Sequence, residues 1–232
     1  ILATGGFASN PEMVADYTPD WAGYPATASV GATGDGIRMA QEAGAALDLM
    51  DLAGPQTVAY DTGHGAVSLT NVRYNGAIIV NEEGQRFVNE LGLTSAIGQE
   101  TKKQTGGHAY LIFDQVSVDR AALMQSYKER GYFTEADTLQ ELAQQLGIDE
   151  AQLAGTVETW QGYYDAGQDD DFGRTDSMFS RIDTPPYYGA LISPASQTTY
   201  GGILIDLQAH ALREDGSVIP GLYAAGETAA QY

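Results

Sequence analysis

At 232 residues, 43% of them hydrophobic, the chain is long enough to bury a core of its own and is not a disordered sequence. Eleven basic against 31 acidic side chains give a net charge of −20 and a pI near 4.1, and this opposes a nucleic-acid or anionic-membrane partner by long-range repulsion. There is no cysteine, which excludes disulfides, thiolate metal sites and thiol nucleophiles, and no apolar run approaches the roughly 20 residues of a membrane-spanning helix.

In chain order, Ile1-Leu-Ala-Thr-Gly-Gly-Phe7 is an apolar run closing on small residues, the pattern of a buried strand that turns where backbone must approach a ligand. Asn10-Pro11 is a helix start, with Asn10 as the cap and Pro11 at the first helical position. Thr33-Gly-Asp-Gly36 precedes a run to Leu47 in which Ile37, Ala40, Gly44 and Leu47 fall at helical spacing, so a helix is expected there. Gly76–Val80 and Gln85–Asn89, joined by Asn81-Glu-Glu-Gly84, read as a hairpin. Ala109–Phe113 is a further strand. Helix starts follow at Thr138-Leu-Gln-Glu141, a capping box, and at Asp149, whose helix is expected to run through Val157 and Trp160 to Gly167. Gln168–Gly173 reads as a solvated acidic loop, and Pro185-Pro-Tyr-Tyr-Gly189 as the return to the first domain. Tyr200–Asp206 and Ser217–Tyr223 supply two strands with the turn Arg213–Gly216 between them. The last run, Gly221-Leu-Tyr-Ala-Ala-Gly-Glu227, closes on small residues as the first does. The two ends therefore read as edges of one nucleotide-binding domain, with a cofactor site split between them and the middle of the chain inserted.

Taken together, Ala3-Thr-Gly-Gly-Phe7, Thr33-Gly-Asp-Gly36, Asn75–Asn81, Gly84-Gln-Arg-Phe-Val-Asn-Glu90, Tyr110–Asp114, Gly201–Asp206 and Ile219–Glu227 resemble the fumarate reductase flavoprotein family, on its flavocytochrome c side. The resemblance covers essentially the whole chain. It implies an α/β fold in which a Rossmann-like FAD-binding domain, residues 1–52 and 197–232, is interrupted by an α+β capping domain, residues 53–196. It also implies an oxidoreductase acting on CH–CH groups, which reduces an activated C=C bond by hydride transfer from flavin N5. Ala3, Thr4 and Gly5 would line the FAD, Asp35 and Thr199 would touch it, and Glu227 would bond its polar chain. Small residues permit backbone contact with a dinucleotide, and carboxylates accept bonds from its hydroxyls. The electron donor implied is a haem or FMN domain or protein. The family's Gly-rich fingerprint is expected upstream of Ile1, and a substrate-binding Arg after Glu227. On that reading the chain is a fragment that binds FAD weakly or not at all and does not turn over, and any leader that would fix localisation lies outside it.

The expected substrate site departs from the fumarate-reducing pattern. Thr94 stands where the resemblance places the proton-donating Arg, and a Thr hydroxyl is a poor general acid. Gln56 and Thr198 stand in place of two dicarboxylate-binding His residues, and Thr70 in place of an acidic residue of the proton path, while Arg73 keeps that path's Arg. A dianion would lose its water with too little positive charge in return, so an enoate or enone other than fumarate is expected. Tyr200 and Tyr74 are candidate replacement donors, since a phenol held near a cation is a competent acid. The plainer reading of each, ordinary packing or a satisfied hydroxyl, outweighs that role in the sequence alone.

The ketosteroid dehydrogenases, which share the Arg-Phe-Val-Asn-Glu motif and use tyrosines for proton transfer, are the alternative within flavoenzymes. A non-catalytic binding module built on the cap is the alternative outside them. His64 is a further substrate-contact candidate, whereas His108 and His210 read as surface or strand-end residues, and the three lack metal-ligand spacing. Arg86 and Glu90 read as a structural ion pair. Trp160, Tyr163 and Tyr164 read as cap core.

Overall fold

The structure, a computed structural model, describes residues 1–230; Gln231 and Tyr232, the end of the expected return segment, lie outside the described residues. The first half contains α1 (Pro11–Tyr17), α2 (Asp35–Glu42), β1 (Leu47–Asp48), β2 (Ala53–Asp61), β3 (Ala66–Ser68), α3 (Thr70–Tyr74), β4 (Ile78–Val80), α4 (Thr94–Lys102) and β5 (Ala109–Asp114). The second half contains α5 (Gln115–Asp119), α6 (Ala122–Glu129), β6 (Thr134–Ala136), α7 (Leu139–Leu146), α8 (Glu150–Ala166), β7 (Tyr187–Thr199), β8 (Gly202–Ile203), β9 (His210–Leu212) and β10 (Val218–Tyr223). Helices and sheets are mixed throughout, an α/β chain. Its described residues divide into two compact units, residues 1–56, 63–66 and 195–230 in the first, and 57–62 and 67–194 in the second.

In the first unit, Asn10 caps α1 as its sequence predicts, its Oδ1 accepting from the backbone N–H of Glu12 and Met13 at 3.1 Å each. The expected helix to Leu47 stops at Glu42 instead. Gly44 takes φ +89°, which ends the helix, and Leu47 becomes a strand residue opposite Ile203. The chain's two ends do meet: Leu2 forms a parallel bridge with Ala224, its N–H donating to Tyr223 O at 2.7 Å and its carbonyl accepting from Ala225 N at 3.0 Å. The turn Arg213–Gly216 is present, but it joins β10 to β9 rather than to Tyr200–Asp206. Ala40, Ala45, Ile203, Ala211, Ile219, Ala224 and Ala229 form the core against which these segments pack.

The second unit is built on a sheet in the order β3-β2-β7-β5-β4, with β6 also on β7. Its central strands read as continuous apolar runs because both faces are buried. Successive side chains of β4 and β5 alternate between two cores: Ile78, Val80, Tyr110 and Ile112 join Leu142, Leu153, Val157 and Trp160 of α7 and α8. Ile79, Leu111 and Phe113 join Val72, Ile97, Val118 and Met124 of α3 to α6. A one-residue slip of the antiparallel register, Ile79 opposite Leu111, would exchange the two sets. Thr138 and Asp149 cap α7 and α8 through the N–H of Glu141 and Gln152 at 3.1 and 2.8 Å, and Gly147 and Gly167 close them at φ +72° and +71°.

Four expectations change here. The hairpin after β4 keeps its Asn81–Gly84 turn, but its second arm is a single bridge, Val80 with Arg86, because Arg86 and Glu90 turn inward to ionic partners. The acidic loop is not all solvated, since Asp169 is fully buried. Pro185–Gly189 does not yet leave the second unit, for Tyr187–Ile192 pairs with β5. Of the aromatic trio on α8, Trp160 alone belongs to the core and the two tyrosines are half-buried.

Candidate active site

In the first unit, Ala3, Thr4, Gly5, Asp35, Thr199 and Glu227 come from four stretches of chain and are brought together by backbone contacts of small residues. Thr4 N donates to Thr228 Oγ1 at 2.7 Å, and that hydroxyl donates to Gly5 O at 3.1 Å, tying the first turn to the last. Gly5 takes φ +80° with open space where a Cβ would stand, while Gly6 and Gly36 have none: a Cβ would run into Thr199 and Glu227 at Gly6 and into Thr4 at Gly36. Thr199 is fully buried. Its N–H and hydroxyl lie 2.8 and 3.4 Å from Glu227 Oε1, and its hydroxyl accepts from Phe7 N at 3.2 Å. Glu227 is thus fixed by one oxygen, and Oε2 has no hydrogen bond among the described residues. Ala3, Thr4 and Asp35 are exposed, Asp35 opening α2 behind the left-handed Gly34.

The same unit carries Gln56, Thr198, Tyr200 and His64. Gly54 and Gln56 alternate onto one side of β2. A Cβ at Gly54 would lie 2.7 Å from Thr198 Cγ2 and 2.9 Å from the Tyr200 hydroxyl, so Tyr200 lies across the glycine beside Thr198. Gln56 is buried, Tyr200 is 38% exposed and its hydroxyl has no hydrogen-bond partner among the described residues. His64 is exposed.

In the second unit, Thr70 opens α3 with its hydroxyl 3.0 Å from Ser68 Oγ, and half-buried Thr94 opens α4. Arg73, on α3, is buried. Its Nη1 donates to the carbonyl of Glu90 at 2.6 Å and reaches that of Gly92 at 3.4 Å, and its Nη2 donates to the Tyr74 hydroxyl at 3.0 Å. Burial lowers its pKa, opposed by Tyr74, and Arg174 lowers it further. Tyr74 is 44% exposed, with the Arg73 guanidinium carbon 4.6 Å from its ring centre.

Behind Arg73 lies an ionic cluster that sequence reasoning only half found. Arg86 pairs with Glu90 at 2.8 Å and with Asp169 at 2.7 Å, and Arg174 pairs with Glu90 at 3.0 Å. Burial works against the charge on Arg86, but Glu90 and Asp169 outweigh it and raise its pKa. Burial likewise pushes Asp169 up, and the Arg86 bonds overcome this and hold it below the usual carboxylate range. Arg174 goes the other way: its burial outweighs Glu90. Among the described residues no three His, Asp or Glu side chains are placed to hold a metal ion.

The FAD binding domain family matches residues 1–232. The chain belongs to the FAD binding domain family. Its cofactor is FAD, and it is a fumarate reductase-like flavoprotein. A urocanate reductase of Eggerthella lenta is 40% identical over 240 residues, covering 99% of this chain and 39% of that protein. A flavocytochrome c3 fumarate reductase in its open conformation superposes with a TM-score of 0.90 at 33% identity, over 99% of this chain and 40% of that one. A 3-ketosteroid delta1-dehydrogenase from Sterolibacterium denitrificans gives 0.75 at 30% identity, over 97% and 46%. The chain spans about two fifths of the length of the curated relatives it matches.

The residues present fit FAD. Gly5 leaves backbone open to close approach, and the free Glu227 Oε2 is an acceptor suited to a hydroxyl donor. Two carboxylates, Asp35 and Glu227, would repel a pyrophosphate, so this part of the family's site suits the hydroxyl-bearing stretches of the cofactor. Thr228, which joins the two ends of the chain, and Gly54 went unnoticed in the sequence because neither lies in a charged or aromatic pattern.

Proposed function

We propose that the full-length protein is an FAD-dependent oxidoreductase that reduces the activated C=C bond of an enone or enoate and does not reduce fumarate. The observation that carries this reading is the Arg73–Tyr74 hydrogen bond. When bound and reduced, FAD supplies a hydride to the electron-poor carbon. The chain's own residues must then protonate the adjacent carbon. With Thr94 at the usual donor position, Tyr74 takes that role: its oxygen accepts from the Arg73 guanidinium, so its own proton points away from the cation and can be donated. Arg73 stabilises the tyrosinate left behind, and solvent returns the proton, Tyr74 being partly exposed. Gln56 and Thr198 offer hydrogen bonds without positive charge, which disfavours a dianion. In this reading Ala3, Thr4, Gly5, Asp35 and Glu227 hold FAD, and Thr199 positions Glu227. The electron donor is a haem or FMN group.

The test is anaerobic reduction of the full-length flavoprotein followed by a panel of unsaturated ketones, monocarboxylates and fumarate. Rapid reoxidation by a ketone or monocarboxylate, with fumarate inert, is expected, and fast reoxidation by fumarate alone would overturn the reading. The ketosteroid dehydrogenase likeness and the uncharged polar residues support a second reading, the same chemistry run as dehydrogenation of a bulky ketone. Reduction of the bound flavin by a saturated ketone would favour it.

A further inference from the structure

Resting on the proposed reaction, we infer that Tyr200 is the residue that recognises an uncharged carbonyl oxygen of the substrate, and that Gly54 is a positioning residue that exists to seat it. A phenol that is partly exposed, unpartnered and pinned by its neighbours is a ready donor. Tyr200 meets all three conditions: its hydroxyl has no partner among the described residues, its N–H is fixed to Leu52 O at 3.0 Å, and its ring end lies across Gly54 with Cζ 3.3 Å and the hydroxyl 2.9 Å from where a Cβ would stand. Gly54 does not need to be glycine for backbone reasons, because its φ is not positive. Within a strand a glycine is normally a small loss of stability, so its place at the point of contact with Tyr200 needs another cause. That cause is the space it leaves. Thr198, beside the seat, and Gln56, on the same side of β2 as Gly54, are both polar and uncharged, so an oxygen bound there without full negative charge loses least on leaving water. The recognised group is a ketone or other neutral carbonyl conjugated to the C=C bond, rather than a carboxylate.

Tyr200→Phe and Gly54→Ala are made singly and together in the full-length flavoprotein. Cyclohex-2-enone is the reducible probe, and cyclohexanone, which has no C=C bond to be reduced, is the binding probe in a thermal-shift assay on the oxidised protein. Each single variant is expected to raise KM for the enone about tenfold, the loss of one hydrogen bond, and to abolish the melting shift given by the ketone. The double variant should fall well short of the two single effects combined, because most of what Gly54 does runs through Tyr200 and only the rest through Thr198, whose Cγ2 lies 2.7 Å from the Cβ position. The melting temperature without ligand should fall only modestly in Gly54→Ala, because the added Cβ displaces the Tyr200 hydroxyl and Thr198 Cγ2 and meets no backbone atom within 3.3 Å. Additive effects of the two changes, an unaltered KM and melting shift in Tyr200→Phe, or no ketone-induced shift in the wild type would overturn the inference. The two proposals fail separately. A flavin that no acceptor reoxidises sinks the reaction while a ketone shift lost in both variants still upholds the seat, and an enone reduced equally well by all three variants sinks the seat alone.

Discussion

Arg73, Arg86 and Arg174 bury their side chains in the second unit, and their partners differ in a way that bears on chemistry. Arg86 and Arg174 share two carboxylates, Glu90 and Asp169, so that group of four is neutral. Arg73 is served by carbonyl oxygens and Tyr74 and makes no salt bridge among the described residues, so its charge is the one left to act on the phenol. Glu90 is the keystone, accepting from Arg86 Nε and Nη2, Arg174 Nη1 and Ile79 N at 2.8 to 3.2 Å. Glu90→Gln leaves the fully buried Arg174 without its counter-ion and is expected to lower unfolding free energy by about 3–5 kcal/mol, the usual loss when one partner of a buried pair is removed. Urea unfolding checks this, and a loss under 1 kcal/mol would mean that the four charges are not coupled. Tyr74→Phe should behave oppositely, leaving the melting temperature within a degree or two and lowering kcat by about 10²–10⁴-fold if Tyr74 is the acid. Comparable turnover would send the proton role elsewhere.

At the level of elements, stability turns on where segments start and where backbone meets backbone. Asn10 holds the start of α1 through two N–H groups and reaches Thr33 O at 2.8 Å through Nδ2. Asn10→Ala should cost about 1 kcal/mol, read in a denaturant titration. Gly84 is less forgiving, because its φ is +78° and a Cβ would lie 2.8 Å from Leu153 N and 3.1 Å from Asp149 O, in the rigid first turn of α8. Gly84→Ala is expected to cost about 1–3 kcal/mol, and a neutral result would show that α8 moves to admit it. These local signals are what the sequence makes legible: cap residues, left-handed glycines and apolar runs predict α1, α7, α8, β4 and β5. What it hides depends on partners far along the chain. β7 is a 13-residue strand carrying Pro194 and the polar stretch Ser196–Thr199, which no alternation reveals. α4 has no side-chain cap to announce it. The motifs locate Arg73, Glu227 and the terminal turns, whereas Asp169 is one of three successive aspartates, and only the contact with Arg86 distinguishes it from its neighbours.

Over the molecule as a whole, a net charge of −20 sets two opposing responses to acid. Lowering pH from neutrality toward the pI near 4.1 removes surface repulsion, which favours the folded state. Asp169 acts the other way. Its folded pKa lies below its unfolded one, which is near 3.9, so the stabilisation is fully present above that value and is lost as pH falls through the folded pKa. Arg86 stays charged across this range, so protonating Asp169 leaves a buried cation with one carboxylate fewer. Stability is therefore expected to hold or rise between about pH 7 and 5 and to collapse below about pH 4. Trp160 reports the event directly, since its ring centre lies 5.0 and 4.9 Å from the Arg86 and Arg174 guanidinium carbons and its Nε1–H donates to Ser180 O at 3.0 Å. In a Trp21→Phe background, Trp160 fluorescence should change in a single acid transition below about pH 4, and Asp169→Asn, already lacking the charge, should be less stable at pH 7 and lose less on acidification. An acid transition with the same midpoint and amplitude in Asp169→Asn would place the failure in surface carboxylates instead. Salt separates the two contributions further, because screening weakens the exposed repulsion over a Debye length of about 8–10 Å and leaves a buried pair nearly untouched. Added sodium chloride should thus raise the melting temperature at pH 7 without moving the acid transition of Trp160.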